Sequence, residues 1–331
     1  MEKFGLKIDI TNQCNLNCEY CYVDKGDKHI VSITQINAAL NAVRNLDSMF
    51  TKRCTFFGGE PSLAHNLIKY IIDNNSDFSF NIISNGYRLF HKDDIDFYKL
   101  FNSVTITLEG TELSYNKLRG EHSLTDKIQQ VIKMKKTGIK VNVNMSLNGL
   151  LLSDMDEFIE NVHELVKNNI YVLLYSIKGD NHFRETDEYV RFLSYLRLNA
   201  FDIYRNIIKL NDNVSDIDTN FLCSFDNCVT LSSYGKIITC TMENEVLGEV
   251  NDLNSYAGII KKIPQLHKSL WVGCSNCEVP IGFCGVSCPA YISECYKSNK
   301  LDELNHVCEF ERIKEFFRRK ELDNGDKVSH R

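Results

Sequence analysis

Three cysteines stand close together near the N-terminus, in Cys14-Asn-Leu-Asn-Cys18-Glu-Tyr-Cys21-Tyr22, with gaps of three and then two residues. Thiolates this close in one loop can converge on one metal centre. A zinc site normally takes four ligands, and only three are local here. A 4Fe–4S cube normally takes four thiolates, so three leave one iron open to a substrate or cofactor. Three unrelated buried thiols do not account for the spacing. The chain has 13 cysteines: four within residues 1–54, none in 55–222 and nine in 223–308. The count is odd and no secretory signal precedes it, so metal or redox chemistry is expected rather than a disulfide framework.

A second short sequence, Gly58-Gly59-Glu60-Pro61, directly follows the strand-like run Cys54–Phe57. Glycines let a backbone approach a ligand closely, and a carboxylate pairs with an ammonium. The cysteine triplet after the first strand and GGEP after the second resemble the radical S-adenosylmethionine (SAM) superfamily. The resemblance spans residues 4–210. It implies that Cys14, Cys18 and Cys21 hold a 4Fe–4S cluster and that Gly58, Gly59, Glu60 and Pro61 receive the methionyl amino group of SAM. Further matches are Ser84-Asn85-Gly86 after the third strand, Glu109-Gly110 ending the fourth, and Asn116–Gly120. In this last segment the resemblance makes Arg119 the partner of the SAM carboxylate. It also places Asn144 and Ser146 at the SAM ribose or the substrate, and Tyr22, after the third cysteine, near the adenine. Plainer readings stand beside these: a surface arginine, ordinary strand polar residues and a loop anchor.

The C-terminal cysteines form two arrays. One is Cys223-x4-Cys228 with Gly235 and Cys240; the other is Cys274-x2-Cys277-x6-Cys284-x3-Cys288, with Cys308 further on. They resemble the SPASM extension of peptide- and protein-modifying radical SAM enzymes, whose middle gap is usually one residue shorter. That resemblance implies two auxiliary 4Fe–4S clusters, three clusters in all. Cys223, Cys228, Cys240 and Cys288 would hold the first, and Cys274, Cys277, Cys284 and Cys308 the second. Eight thiolates leave neither cube an open iron, which suits electron transfer and structural support. Two four-thiolate zinc sites fit the same spacings; the N-terminal motif favours iron. Cys54 reads as a small buried hydrophobe. Cys295 has no assigned iron and reads as a spare thiol, an alternative ligand or a hydrogen-atom donor. No other catalytic residue is identified.

These groups need elements that bring strand ends together. Leu6–Thr11, Cys54–Phe57, Phe80–Ser84, Val104–Leu108, Lys140–Leu147 and Tyr171–Ile177 read as strands. Helical periodicity covers Thr34–Leu46, Leu63–Ile72, Ile95–Phe101, Thr125–Lys136 and Asp154–Val166, with a long helix near Thr186–Leu210. The alternation predicts an α/β protein: a partial (β/α)6 barrel with its helices outside a parallel sheet, then a C-terminal cysteine-rich iron–sulfur domain. In such sheets function sits at the C-terminal strand ends, where the motifs fall. The expected division is a barrel over 1–210, a linker over 211–222, the auxiliary-cluster domain over 223–310 and a C-terminal helix and tail over 311–331. In a helix running from Glu309 to Glu321, Phe310, Ile313, Phe316 and Phe317 are expected to pack inward. Arg318, Arg319 and Lys320 are expected to form its solvated end.

With 38 Lys and Arg against 44 Asp and Glu, the net charge of −6 offers no basic face for nucleic acid. No apolar run reaches the roughly 18–20 residues that span a bilayer, and MEKFGLKIDIT is not a signal peptide; a cytoplasmic location is expected. The resemblance implies oxidoreductase chemistry. One electron, from an external donor of flavodoxin or ferredoxin type, cleaves SAM to methionine and a 5′-deoxyadenosyl radical, which takes a hydrogen atom from carbon. SPASM enzymes mostly act on peptides or proteins. The favoured reading is maturation of a ribosomally made peptide by cross-linking, thioether formation or epimerisation. The alternative is a sulfatase-maturing enzyme that makes formylglycine. Against it, Thr241 stands where those enzymes carry an aspartate. A zinc-stapled, non-catalytic binding protein is the reading from another class. The first strand begins by residue 6, so a leader-binding domain is expected to be absent or supplied by a separate protein.

Overall fold

The computed structural model describes residues 4–23, 26, 28–45, 50–176, 183, 185–208, 228–238, 246–250 and 301–328. Cys223, Cys240, Cys274, Cys277, Cys284, Cys288 and Cys295, the expected linker and Thr241 lie outside the described residues, as does the side chain of Cys228.

Six parallel strands form the scaffold in chain order: β1 (Phe4–Thr11), β2 (Phe50–Gly58), β3 (Ser79–Ser84), β4 (Ser103–Leu108), β5 (Val141–Leu147) and β6 (Tyr171–Ser176). Three more strands extend the same sheet beyond β1. These are β7 (Cys228–Leu231), parallel to β1, then β8 (Lys236–Ile238) and β9 (Val246–Glu249), both antiparallel. The order is β6-β5-β4-β3-β2-β1-β7-β8-β9. The predicted α/β barrel is present, and part of the stretch expected to form the auxiliary domain continues its sheet.

The helices are α1 (Ile33–Asn45), α2 (His65–Asp73), α3 (Tyr87–Lys92), α4 (Ile95–Tyr98), α5 (Glu112–Arg119), α6 (Leu124–Lys136), α7 (Met155–Lys167), α8 (Thr186–Asn199), α9 (Phe201–Ile207) and α10 (Leu301–Val328). Each of the longer ones buries one apolar stripe, as α1 does with Ile36, Ala39, Leu40 and Val43. Asp154 caps α7 by accepting the Glu157 amide.

Along β3 and β4, burial alternates residue by residue. Phe80, Ile82, Val104, Ile106 and Leu108 are buried; Phe56 of β2 stacks on Phe80 and meets Phe101 edge-on. The alternate residues Asn81, Thr105 and Thr107, and Asn142 and Asn144 of β5, are half-buried on the opposite, concave face. The core therefore sits between sheet and helices, and the concave face is polar on β4 and β5, with Phe57, Ile83 and Leu173 contributed by β2, β3 and β6.

Several expectations are corrected. The long helix predicted over 186–210 is two helices, broken at buried Ala200. The Asn199 side-chain Nδ2 donates to the Tyr195 carbonyl and competes with helix continuation there. The C-terminal helix starts at Leu301, earlier than expected. Phe310 is buried, but Phe316 is 62% exposed, because only one stripe of this helix meets the barrel. Arg318 is buried rather than solvated, since its guanidinium pairs with Glu315 one turn earlier.

Candidate functional site

The cysteine loop leaves β1 and is stitched to the loop after β2. The Gly59 amide donates to Thr11 O at 2.7 Å, and the Glu60 amide to Gln13 O at 2.7 Å. A Cβ on Gly59 would stand 2.2 Å from Gln13 O; one on Gly58, at φ +135°, would meet Asp9 Oδ1 at 2.3 Å. The two glycines thus let two backbone segments touch. The sequence suggests a ligand approach; in the fold the close neighbour is the cysteine loop itself. Glu60 is fully buried. Its carboxylate accepts from Ser62 N (3.0 Å), Ser84 Oγ (2.8 Å) and Asn85 N (2.7 Å), bracketing the ends of β2 and β3. Burial raises its pKa and these donors oppose the shift. Pro61 follows, buried at the first position of a 3-10 turn.

Cys14, Cys18 and Cys21 are half-buried and belong to no disulfide. Cys14 Sγ accepts from Leu16 N at 3.4 Å and Asn85 Nδ2 at 3.7 Å. At the far side of the loop, Glu19 N donates to Leu118 O of α5 at 2.8 Å. Among the described residues, no three His, Cys, Asp or Glu side chains gather as ligands of one metal ion. A cube takes its thiolates on separate irons, so its sulfurs need not meet at a point.

Between Cys18 and Cys21, Tyr20 reaches into the ends of β4 and α5. Its hydroxyl donates to Glu109 Oε1 at 2.5 Å and accepts from Arg119 Nη1 at 3.0 Å. Arg119 Nη1 stands 3.7 Å from Glu109 Oε1. Glu109 Oε2 accepts from Ser146 Oγ, which accepts from Asn148 Nδ2 at 3.0 Å. Asn148 Oδ1 in turn accepts from Ser114 Oγ (3.2 Å), and Ser114 Oγ from Thr111 Oγ1 (3.0 Å). Donors on both sides point toward Glu109, which acts as a carboxylate beside the guanidinium. Burial raises the Glu109 pKa, with Arg119 the largest opposing influence. Burial also works against the Arg119 charge, but Tyr20, Cys18 and Glu109 hold its pKa well above the ordinary value. Arg119 Nε is buried without a partner.

Of the expected cofactor residues, the structure brings Glu60, Ser84 and Asn85 together, and separately Glu109, Arg119 and Ser146. Asn144 lies on the concave face of β5, two residues before Ser146. Tyr22 is 50% exposed, and the aromatic of the loop that turns inward is the half-buried Tyr20 instead. Cys54 is fully buried, as expected, and burial pushes its thiol up. Cys308 is half-buried on α10 and belongs to no disulfide. Three site residues were not legible in the sequence. Tyr20 and Asn148 are joined to the site by contacts 89 and 34 residues apart. Asp9 is buried on β1 with Oδ1 unpartnered.

The sequence profile of the radical SAM superfamily matches residues 8–193, more than half of the chain. The chain belongs to the radical SAM superfamily. This family uses SAM and a 4Fe–4S cluster, and its members are enzymes. The uncharacterized protein MJ0907 of Methanocaldococcus jannaschii is 25% identical over 264 residues, covering 75% of this radical SAM chain and 89% of the relative. A probable GTP 3′,8-cyclase of Saccharolobus islandicus is 22% identical over 280 residues, 76% and 89% of the two chains. The solved structure of native anSMEcpe with bound AdoMet and Cp18Cys peptide has the same fold. Its TM-score is 0.63 at 16% identity, over 95% of this chain and 99% of that one. No helix among the described residues is long and apolar enough to cross a membrane.

The site fits the family's cofactors. The N–H donors on Cys14 Sγ and the guanidinium near Cys18 favour anionic sulfur. The unpartnered Nε of Arg119 suits a ligand carboxylate. When bound, SAM and its cluster supply reductive sulfonium cleavage. The chain's own residues hold the loop, fix Arg119 through Glu109 and Tyr20, and present below a concave face that is polar on β4 and β5.

Proposed function

We propose that this radical SAM enzyme matures a ribosomally made peptide, taking a hydrogen atom from one of its residues on the way to a cross-link, a thioether or an epimerised centre. Cys14, Cys18 and Cys21 hold the SAM cluster. Gly58, Gly59, Glu60, Pro61, Ser84, Asn85, Glu109, Arg119, Asn144 and Ser146 surround SAM. Cys223, Cys228, Cys240 and Cys288, and Cys274, Cys277, Cys284 and Cys308, hold two auxiliary 4Fe–4S clusters. A flavodoxin or ferredoxin supplies the electron, a separate protein presents the leader, and the reaction takes place in the cytoplasm.

The observation that carries the reading is the concave face. Asn81, Thr105, Thr107, Asn142 and Asn144 there are neutral, with donors and acceptors suited to peptide amides. The GTP named for the cyclase relative carries phosphates, which call for grouped cations. Lys7 and Arg53 lie in the first halves of β1 and β2, away from the cysteine loop. Thr241 in place of an aspartate weighs against formylglycine formation.

The test is anaerobic. Protein reconstituted with iron and sulfide, dithionite and SAM forms 5′-deoxyadenosine, and Cys18→Ala abolishes it; undiminished formation by that variant removes the cluster assignment. Co-expression with a short peptide encoded beside the gene gives a mass change in the peptide. Turnover of GTP, with peptide unchanged, transfers the enzyme to nucleotide chemistry.

A further inference from the structure

The cysteine loop is closed at its base by residues outside the family motifs. Thr11 Oγ1 donates to His29 O at 2.7 Å, His29 N to Asn12 Oδ1 at 2.7 Å, and Asn12 N to His29 O at 3.3 Å. All three cysteines lie in the chain between the two sides of this closure. A turn from far along the chain sits against it. β7 pairs with β1 from Gly5↔Cys228 to Ile8↔Leu231, so Ser232–Gly235 leaves the sheet at the same end as the cysteine loop.

That turn makes three separate contacts there and packs closely against α1. The Tyr234 ring lies 4.3 Å from the His29 ring, centroid to centroid. Tyr234 Oη accepts from Asn12 Nδ2 at 3.4 Å. Ser233 N donates to Asp9 Oδ2 at 3.4 Å. At Gly235, φ is +77° and a Cβ would stand 1.7 Å from Gln35 Nε2 at the start of α1. The turn is internally fixed by Gly235 N on Ser232 O at 2.8 Å and Lys236 N on Ser232 Oγ at 3.1 Å. Its shape is therefore set before it meets the loop, and Tyr234 touches both ends of the loop's closure.

We propose that Tyr234 is a positioning residue for the first iron–sulfur site: through it, the segment after the barrel holds the base of the cysteine loop and so sets how well the open iron receives SAM. This rests on the assignment of Cys14, Cys18 and Cys21 as cluster ligands. Wild-type enzyme tests that assignment separately, because only an open-iron cluster changes its electron paramagnetic resonance spectrum when SAM is added.

The experiment compares full-length, reconstituted wild type, Tyr234→Ala, Tyr234→Phe and Gly235→Ala. The readouts are iron content, thermal stability, SAM affinity and the SAM-induced change in the reduced spectrum. Tyr234→Ala is expected to keep its iron and stability, to bind SAM roughly five- to tenfold more weakly, the scale of one lost aromatic contact, and to show an altered SAM-induced signal. Tyr234→Phe keeps the ring on His29 and restores affinity to within about twofold. Gly235→Ala keeps the tyrosine but pushes the turn off Gln35, and weakens SAM as Tyr234→Ala does. A Tyr234→Ala enzyme with unchanged SAM affinity and spectrum overturns the proposal, and so does one whose weaker binding merely follows a lower melting temperature.

Discussion

Asp9 sits on the concave side of β1 and pairs with no cation among the described residues. One oxygen takes the Ser233 amide and the other is unpartnered. Burial raises its pKa from 3.8 to about 6, opposed by Ser233. The folded state therefore binds this proton more tightly than the unfolded chain. The resulting stability is complete below pH 4 and is lost as pH rises through about 6. The loss is at most about 3 kcal/mol. Asp9→Asn is expected to remove that slope and to melt higher than wild type at pH 8. Melting curves from pH 5 to pH 8 check this, and parallel curves for the two proteins contradict it. At this scale, legibility followed sequence distance. The cysteine triplet and GGEP are short and carry their chemistry in their spacing. The Tyr20–Glu109–Arg119 group joins three separate segments, and no local pattern marks Tyr20 as its centre. Asp9 falls in an alternating strand where a polar residue reads as ordinary.

Helix α5 shows what a short element does here. Its N-cap, Thr111, accepts the Ser114 amide at 3.2 Å and begins the hydroxyl chain to Glu109; its last residue is Arg119. The helix is thus tied into the same polar group at both ends. Thr111→Ala removes the cap and the first hydroxyl of the chain, and should cost roughly 1–2 kcal/mol. Urea unfolding reads this as a lower midpoint with an unchanged slope; an unchanged midpoint shows that the cap is redundant. β1 to β5 were legible because each pairs a buried apolar face with a largely polar one, and β6 because YVLLYS is a short apolar, aromatic run. Helices α3 and α5 were not, being short, and α5 is largely polar, with Glu112–Arg119 reading ELSYNKLR. Boundaries moved for local reasons: Pro61–Ala64 opens as a 3-10 turn before α2, and β2 begins four residues before Cys54.

Across the whole molecule, α10 returns to the barrel. Phe310 is buried against Tyr189 of α8, 5.0 Å between ring centres, and near Phe183 at 6.3 Å. Arg197 of α8 and Glu321 of α10 form an ion pair further along. Phe310→Ala opens a cavity in this contact and should destabilise the fold by about 3–5 kcal/mol. Denaturant titration of the intact protein measures it, and a loss under about 1 kcal/mol means that α10 adds little to the barrel. The inward stripe of this helix could be read from Phe310, Ile313 and Phe317. Its start was missed although Leu301, Leu304 and Val307 continue the same period ahead of Phe310, because Cys308 ties those residues to the cysteine array in the sequence.

The place of β7 has a consequence for synthesis. β1 emerges from the ribosome first, and one flank gains its neighbour as soon as Phe50–Gly58 follows. The other flank must wait until Cys228–Leu231 has been translated. Until then β1 is an edge strand, with open backbone groups beside an incompletely braced cysteine loop. Metal insertion is therefore best timed after translation, and a nascent chain stalled before residue 228 is the stage most exposed to strand-to-strand aggregation.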